Sequence, residues 1–218
     1  IMGQDMSEFE QGNIERGIFA NTKLALFDVG GVLLRFMGGV EALSAKTNLP
    51  YARCREIWLE LDDSICRGET QPQELWNRIK KESSYTGEDI DFVSFWVNHF
   101  KPNHQVHKLI RNVSKNNAVG LLTNIYPGVY QKAVESGNIP NIPYALVLQS
   151  CETGFIKPEK QIYELAEKMG GKKSSDILLI DDSPRFITPA QELGWKTFSF
   201  NNKNPNESVM SLRDAFAI

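Results

Sequence analysis

Apolar residues fall into two regimes along the chain. Short, nearly unbroken runs occur at Leu24–Phe27, Ala118–Leu122, Tyr144–Gln149, Ile177–Ile180 and Lys196–Phe200. Runs of this kind, closed by glycine or by polar residues, predict strands buried on both faces, as in a parallel sheet. Between them the apolar spacing lengthens to that of a helix, over Val106–Val113, Pro127–Ser136, Gln161–Met169 and Glu207–Phe216. In the third of these, Ile162, Leu165, Ala166 and Met169 share one face, and Gly170-Gly171 stops the helix. Either Ser183-Pro184 or Thr188-Pro189 supplies an N-cap and first residue for a further helix. Strands alternating with helices predict an α/β fold, a doubly wound, Rossmann-like parallel sheet.

Residues 39–100 break this alternation. Cys54, Ile57, Trp58, Leu61 and Ile65 follow helical spacing, as do Leu75, Trp76 and Ile79 after Pro72, and Phe92, Phe95, Trp96 and His99 after Gly87. Three or four short amphipathic helices make a small cap rather than a second independent core. The polar break Arg67-Gly68-Glu69-Thr70 is placed to face a cleft. The core is therefore expected to comprise residues 23–38 and 101–218, with 39–100 inserted as the cap and Gly38-Gly39 closing the first core segment. Residues 1–22, polar with scattered apolar positions, read as a frayed extension or a short helix on the domain edge.

Composition narrows the function without naming it. The chain has 218 residues, 41% of them hydrophobic and 23% charged, with a formal net charge of -3. That balance is ordinary for a soluble globular protein and gives no basic excess for nucleic acid or an anionic membrane. An anionic substrate would need local help from a cation, a lysine or backbone amides. Three cysteines, Cys54, Cys66 and Cys151, include no C-x-x-C pair, so neither a disulfide framework nor a zinc site is expected, and a reducing cytoplasm fits. No apolar run is long enough to span a bilayer. Monomer and homodimer are equally compatible with these properties.

Chemistry-bearing residues gather at the carboxyl ends of the expected strands, where open α/β sheets bind ligands. Asp28 follows the first strand and precedes Gly30-Gly31, Thr123-Asn124 end the second, and Asp181-Asp182 end the fourth. Lys157 lies in the loop Gly154-Phe-Ile-Lys-Pro158. Taken singly, each has an ordinary reading: a solvated strand end, a helix cap, a surface lysine. Together, three carboxylates around one point call for a cation, and hard oxygen donors favour Mg²⁺. Asp28 is then a carboxylate nucleophile toward phosphorus, Thr123, Asn124 and the amide of Gly31 hold phosphoryl oxygens, and Lys157 balances charge. Elsewhere, His104 and His107 stand three apart on a helix without a third ligand, and Cys151 reads as a small buried hydrophobe.

Four motifs in order resemble those of the haloacid dehalogenase superfamily: Phe27-Asp-Val-Gly-Gly-Val-Leu33, Leu122-Thr-Asn124, Gly154-Phe-Ile-Lys-Pro158, and Ile180-Asp-Asp-Ser183 followed by Leu193-Gly194. The resemblance implies a Rossmann-like core with a helical cap after the first motif. It makes Asp28 the nucleophile, Thr123 a phosphate contact, Lys157 the charge-balancing lysine, and Asp182 a magnesium ligand with Asp181 beside it. The backbone carbonyl of Gly30 becomes a further ligand. Most phosphatases of this family carry a second aspartate at the position of Gly30, as acid to the leaving group. Glycine there occurs in a subgroup resembling the sugar-1-phosphate phosphatases. Without that acid, leaving groups stable as anions are favoured. The expected activity is hydrolysis of a small phosphorylated metabolite, a sugar phosphate among the candidates. Two alternatives stand beside it. One is a 2-haloacid dehalogenase, in which Asp28 attacks carbon without a metal. The other is a binding module that has lost turnover. A proton donor from the cap, Asp62, Asp63 or Glu69, would replace the missing acid.

Overall fold

The computed structural model describes residues 15–218. Its centre is a five-stranded parallel sheet of order β5-β4-β1-β6-β7, with β1 Leu24–Phe27, β4 Ala118–Thr123, β5 Leu146–Gln149, β6 Ile177–Asp181 and β7 Lys196–Ser199. Strand β1 occupies the middle, paired in parallel with β4 on one side and β6 on the other. Its four residues are all buried, and their alternation divides the core. Ala25 and Phe27 join the larger apolar cluster on one face, and Leu24 and Leu26 the smaller cluster on the other. This double burial is why the strand reads as an uninterrupted apolar run.

Helices cover both faces: α5 His104–Val113, α6 Val129–Glu135, α8 Lys160–Gly170, α9 Pro184–Glu192 and α10 Pro205–Phe216. Ser183 and Pro184 open α9, leaving Pro189 inside that helix. A four-residue helix, α7 Ser150–Thr153, follows β5.

The insertion after β1 consists of four helices, α1 Gly38–Thr47, α2 Tyr51–Cys66, α3 Gln73–Ser83 and α4 Phe92–Asn98. A two-stranded antiparallel ribbon, β2 Leu34–Arg35 with β3 Lys101–Pro102, ties the outgoing and returning chain together at its base. Gly38 begins α1 and Gly39 lies within it, so the glycine pair does not close the preceding segment. The cap is joined to the core by polar contacts as well. Ser150 Oγ donates to the carbonyl of Cys66 (2.6 Å), and Arg67 pairs with Glu159 and donates to the Gly154 carbonyl (3.0 Å).

Two further expectations need correction. Tyr144 lies outside the strand and donates its hydroxyl to the Pro140 carbonyl (2.9 Å). The end of the expected N-terminal extension is anchored rather than frayed. Gly17 and Phe19 donate backbone N–H groups to Asp214 and Ala215 of α10 (2.9 and 2.8 Å), and the buried Phe19 ring meets Phe216. An apolar ring with a matching ring to cover it supplies the reason. Residues 1–14 lie outside the described residues. Among the described residues, no helix is long and apolar enough to cross a membrane.

Candidate active site

The parallel sheet brings the ends of β1, β4 and β6 together at one edge, and the site forms there. Asp28 follows β1, Thr123 ends β4, Asp181 ends β6 and Asp182 follows it. Lys157 arrives from the loop between α7 and α8. Its side chain is fully buried, with Nζ 2.9 Å from Asp28 Oδ1 and 2.6 Å from Asp181 Oδ2. The other Asp181 oxygen accepts the Ser183 N–H (2.9 Å). Asp182 accepts from Asn202 Nδ2 (2.6 Å), and Arg35 holds that loop by donating to the Asn202 carbonyl (2.9 Å).

Oxygens of Asp28, Asp181 and Asp182 lie within 4.8 Å of one another. One lysine faces three carboxylates, and the imbalance is felt on Asp28 and Asp182. Burial pushes the Asp28 carboxyl up to about 7; Lys157 pulls it down, while Asp181 and Asp182 push it further up. Burial, with the nearby Asp181, raises Asp182 above the ordinary range. Burial works against charge on Lys157, but Asp181 and Asp28 outweigh it and hold the ammonium form. A buried, oxygen-only cluster short of positive charge fits a hard divalent cation such as Mg²⁺.

Gly31 and Asn124, expected to hold substrate, also make contacts that shape the site, and Asn124 lines its cavity. Gly31 has a positive φ of +84°, and its N–H donates to the Leu34 carbonyl (2.8 Å) within the turn. Its missing side chain matters more, since a Cβ there would lie 2.2 Å from Asp182 Oδ2. Gly31 therefore makes room for the Asp182 carboxylate. Asn124 is engaged by the lysine loop: its amide nitrogen donates to the Lys157 carbonyl (2.9 Å), and its oxygen accepts the Lys157 N–H (2.8 Å). It positions Lys157. Thr123 is buried, and its hydroxyl has only a 3.4 Å contact with the Asn124 carbonyl.

A cavity of about 290 Å³ opens onto this cluster, lined by Asp28, Gly30, Thr123, Lys157 and Asp182 on the core side. The cap contributes Trp58, Asp62, Cys66 and Trp96. Of the expected cap acids, Asp62 alone reaches the cavity lining; Asp63 and Glu69 are exposed. Arg67 binds the core instead of facing the cavity. His107, which stands with His104 without a third ligand among the described residues, is buried with Nε2 3.1 Å from the Leu33 carbonyl, a structural contact. Asn202 and Phe36 went unrecognised in the sequence, because each acts through contacts between distant segments and carries no local motif.

Fold and site together define an α/β protein with a buried aspartate–lysine centre beneath a helical insertion. The chain belongs to the haloacid dehalogenase-like hydrolases, whose family model matches residues 22–194. Solved structures with the same fold include a HAD family enzyme from Bacteroides thetaiotaomicron, in complex with magnesium and inorganic phosphate. It is 21% identical, with a TM-score of 0.65 over 83% of this chain and 95% of that one. A protein from Porphyromonas gingivalis, described as a predicted HAD-like family hydrolase, is 20% identical, with a TM-score of 0.69 over 89% of this chain and 99% of that one. The L-2-haloacid dehalogenase from Xanthobacter autotrophicus with chloropropionic acid covalently bound is 14% identical, with a TM-score of 0.62 over 81% and 76%. No curated protein matches the chain.

Proposed function

We propose that the protein is a magnesium-dependent phosphatase of small phosphate esters, acting through an aspartyl-phosphate on Asp28. The observation that carries this reading is the bridging of Asp28 and Asp181 by Lys157, at 2.9 and 2.6 Å, with Asp182 beside them. A dehalogenase, which attacks a carbon centre, has no use for three clustered carboxylates. A phosphatase has, because its substrate adds further negative charge that must be balanced. The magnesium complex of the Bacteroides thetaiotaomicron enzyme supports the same direction.

The residues divide the chemistry among them. Lys157 holds one oxygen of Asp28, which orients the carboxylate for attack on phosphorus and works against the burial that disfavours its ionised form. Thr123 lines the cavity beside it, placed to donate its hydroxyl to a phosphoryl oxygen. Asn124 fixes the Lys157 backbone so that Nζ stays between the two aspartates. Mg²⁺ held by Asp28, Asp182 and the Gly30 carbonyl, with Asp181 in support, would supply the positive charge that Lys157 alone does not. After the P–O bond to the leaving group breaks, water attacks phosphorus and restores the Asp28 carboxylate.

The test is release of inorganic phosphate from a panel of phosphate esters and acetyl phosphate, with and without Mg²⁺, for wild type and Asp28→Asn. Wild type should turn over only with Mg²⁺, and Asp28→Asn should lose roughly 10⁴-fold or more in kcat. Chloride release from 2-chloropropionate without metal would replace this reading by dehalogenation. Phosphate binding without turnover would make the protein a binding module.

A further inference from the structure

The part of the cavity beyond the carboxylates is lined by aromatic rings. Phe36, Trp58, Trp96, Phe100, Tyr126 and Phe186 all contribute to it. They form a linked surface: Phe36 lies 6.0 Å from Trp58, Trp96 stacks on Tyr126 at 6.2 Å, and Trp96 meets Phe100 edge-on at 6.4 Å between ring centres. Their polar edges are tied to one another. Trp58 Nε1 donates to Tyr126 Oη (2.9 Å), and Tyr126 Oη donates to Asp62 Oδ1 (2.6 Å). What remains for a leaving group is carbon surface, with Asp62 its single carboxyl from the cap.

A polyhydroxylated leaving group suits this lining poorly. Each sugar hydroxyl drawn from water would need a partner, and an unpaired buried hydroxyl costs affinity. Asn124, the nearest amide, is already engaged on both sides by Lys157. A planar ring meets the opposite situation, since it can stack on this surface without leaving polar groups unpaired. A second observation points the same way. Phe36 occupies the space beside Gly30 where an acidic side chain would project, so no acid is held there for the leaving oxygen. A phenol leaves as an anion far more readily than an alkanol, because its charge spreads into the ring, and it depends less on proton donation. The cavity, about 290 Å³, lies just below the usual range for ligand sites, roughly 300–1,000 Å³, and suits one compact ring system.

We infer that the substrate is an aryl phosphate, whose ring packs against the aromatic lining centred on Trp58 and Tyr126. This rests on the phosphatase reading above. Asp28 forms a bond to phosphorus as the bond from phosphorus to the aryl oxygen breaks, and the electron pair leaves with the phenolate. Water then attacks phosphorus as the bond from phosphorus to Asp28 breaks and its electron pair returns to the carboxylate; the water oxygen passes to phosphate, and its protons are shared between phosphate and phenol. The net change is aryl phosphate plus water to phenol plus inorganic phosphate.

The experiment compares phenyl and 2-naphthyl phosphate with acetyl phosphate and glucose 6-phosphate, in wild type, Trp58→Leu and Trp58→Phe, all checked for native circular dichroism. The aryl esters should have KM at least about tenfold below glucose 6-phosphate. Trp58→Leu should lower the aryl-to-acetyl ratio of kcat/KM about tenfold, and Trp58→Phe should restore most of it. If Trp58→Leu fails to fold, Phe100→Leu provides the same comparison from another part of the lining. An unchanged ratio in a folded variant, or a lower KM for glucose 6-phosphate than for either aryl ester, would overturn the inference. Turnover of acetyl phosphate with no aryl preference overturns the inference alone, whereas turnover of none of the four overturns the phosphatase reading with it.

Discussion

Gly30 and Phe36 cannot both carry full side chains where they stand. A Cβ at Gly30 would lie 2.9 Å from Cε1 of the Phe36 ring, closer than real contacts allow, and a tight 3.1 Å from Cδ1. The Phe36 ring is backed in turn by Trp58. The missing acid and the ring that fills its place are thus one feature of the cavity, and the two positions must be changed together.

Gly30→Asp alone should therefore destabilise the protein by about 1–3 kcal/mol through overpacking, and raise KM by displacing Phe36. Gly30→Asp combined with Phe36→Ala should recover part of the stability and accept esters with poorer leaving groups. Two measurements check this: urea unfolding of the three variants, and the slope of log kcat/KM against leaving-group pKa. The slope should flatten only in the double variant. A flat slope in wild type would mean that proton donation is already present, with Asp62 the residue to examine.

Lys157 is the group whose removal should cost most. Lys157→Met keeps much of the volume but leaves Asp28 and Asp181 buried without their cation. Breaking a buried ion pair on one side costs about 3–5 kcal/mol. A further Asp28→Asn should return part of that loss, because it removes one of the unpaired charges. Chemical denaturation of the two single variants and the double variant gives the coupling directly. Additive losses would mean that the lysine does not stabilise the pair.

How much of this was legible depended on the length scale of each signal. Three of the five strands, β1, β4 and β6, showed because they are buried on both faces, which writes an unbroken apolar run into the chain, whereas the edge strands β5 and β7 are only partly buried. Asp28, Thr123, Asp181 and Asp182 could be grouped because a parallel sheet collects the ends of its strands. The β2–β3 ribbon was invisible, since two residues on each side carry no periodicity, and α7 is a single turn. The structural engagements of Asn124 and Gly31 were hidden for a different reason. Their types and positions suited a substrate, but their hydrogen-bonding groups are engaged by Lys157 and Leu34, partners that only the folded chain reveals. Asn202 reaches Asp182 from a loop after β7, and no local pattern announces such a contact.

The proximity of Gly31 to Asp182 gives a way to disturb the proposed metal site without changing a proposed ligand. Gly31→Ala would place a methyl group against the Asp182 carboxylate, 2.2 Å from Oδ2, and would strain a backbone with φ of +84°. The carboxylate must then turn away. Magnesium affinity should fall about 10- to 100-fold, the usual scale for a residue that orients a ligand. Titration calorimetry with Mg²⁺ on the intact protein reads this without relying on turnover. Asp182→Ala should abolish the binding heat, and EDTA should leave that variant's unfolding temperature unchanged. Full affinity in Gly31→Ala would show that Asp182 does not hold the ion.

His107 connects pH to the segment that leads out of the active site. It sits on α5, buried, with Nε2 3.1 Å from the Leu33 carbonyl, so this nitrogen carries the hydrogen and donates it. Burial is the largest influence and lowers the imidazole from its ordinary value of 6.5; the charges of His104 and Arg111 lower it further, against the hydrogen bond to Leu33. The folded protein therefore takes up this proton less readily than the unfolded chain. Stability should be full above about pH 6.5 and should decline as pH falls below it, by up to about 1.4 kcal/mol per unit, until the folded histidine itself titrates. Gln at position 107 can donate to Leu33 but does not titrate. Urea unfolding of wild type and His107→Gln between pH 7.5 and pH 5, values on the order of the ordinary histidine range, should show a steeper loss in wild type. The carboxylates titrate in both proteins, so the difference between the two slopes belongs to His107. Parallel slopes would remove it as the source, and a variant less stable at every pH by a constant amount would reduce its role to the Leu33 hydrogen bond.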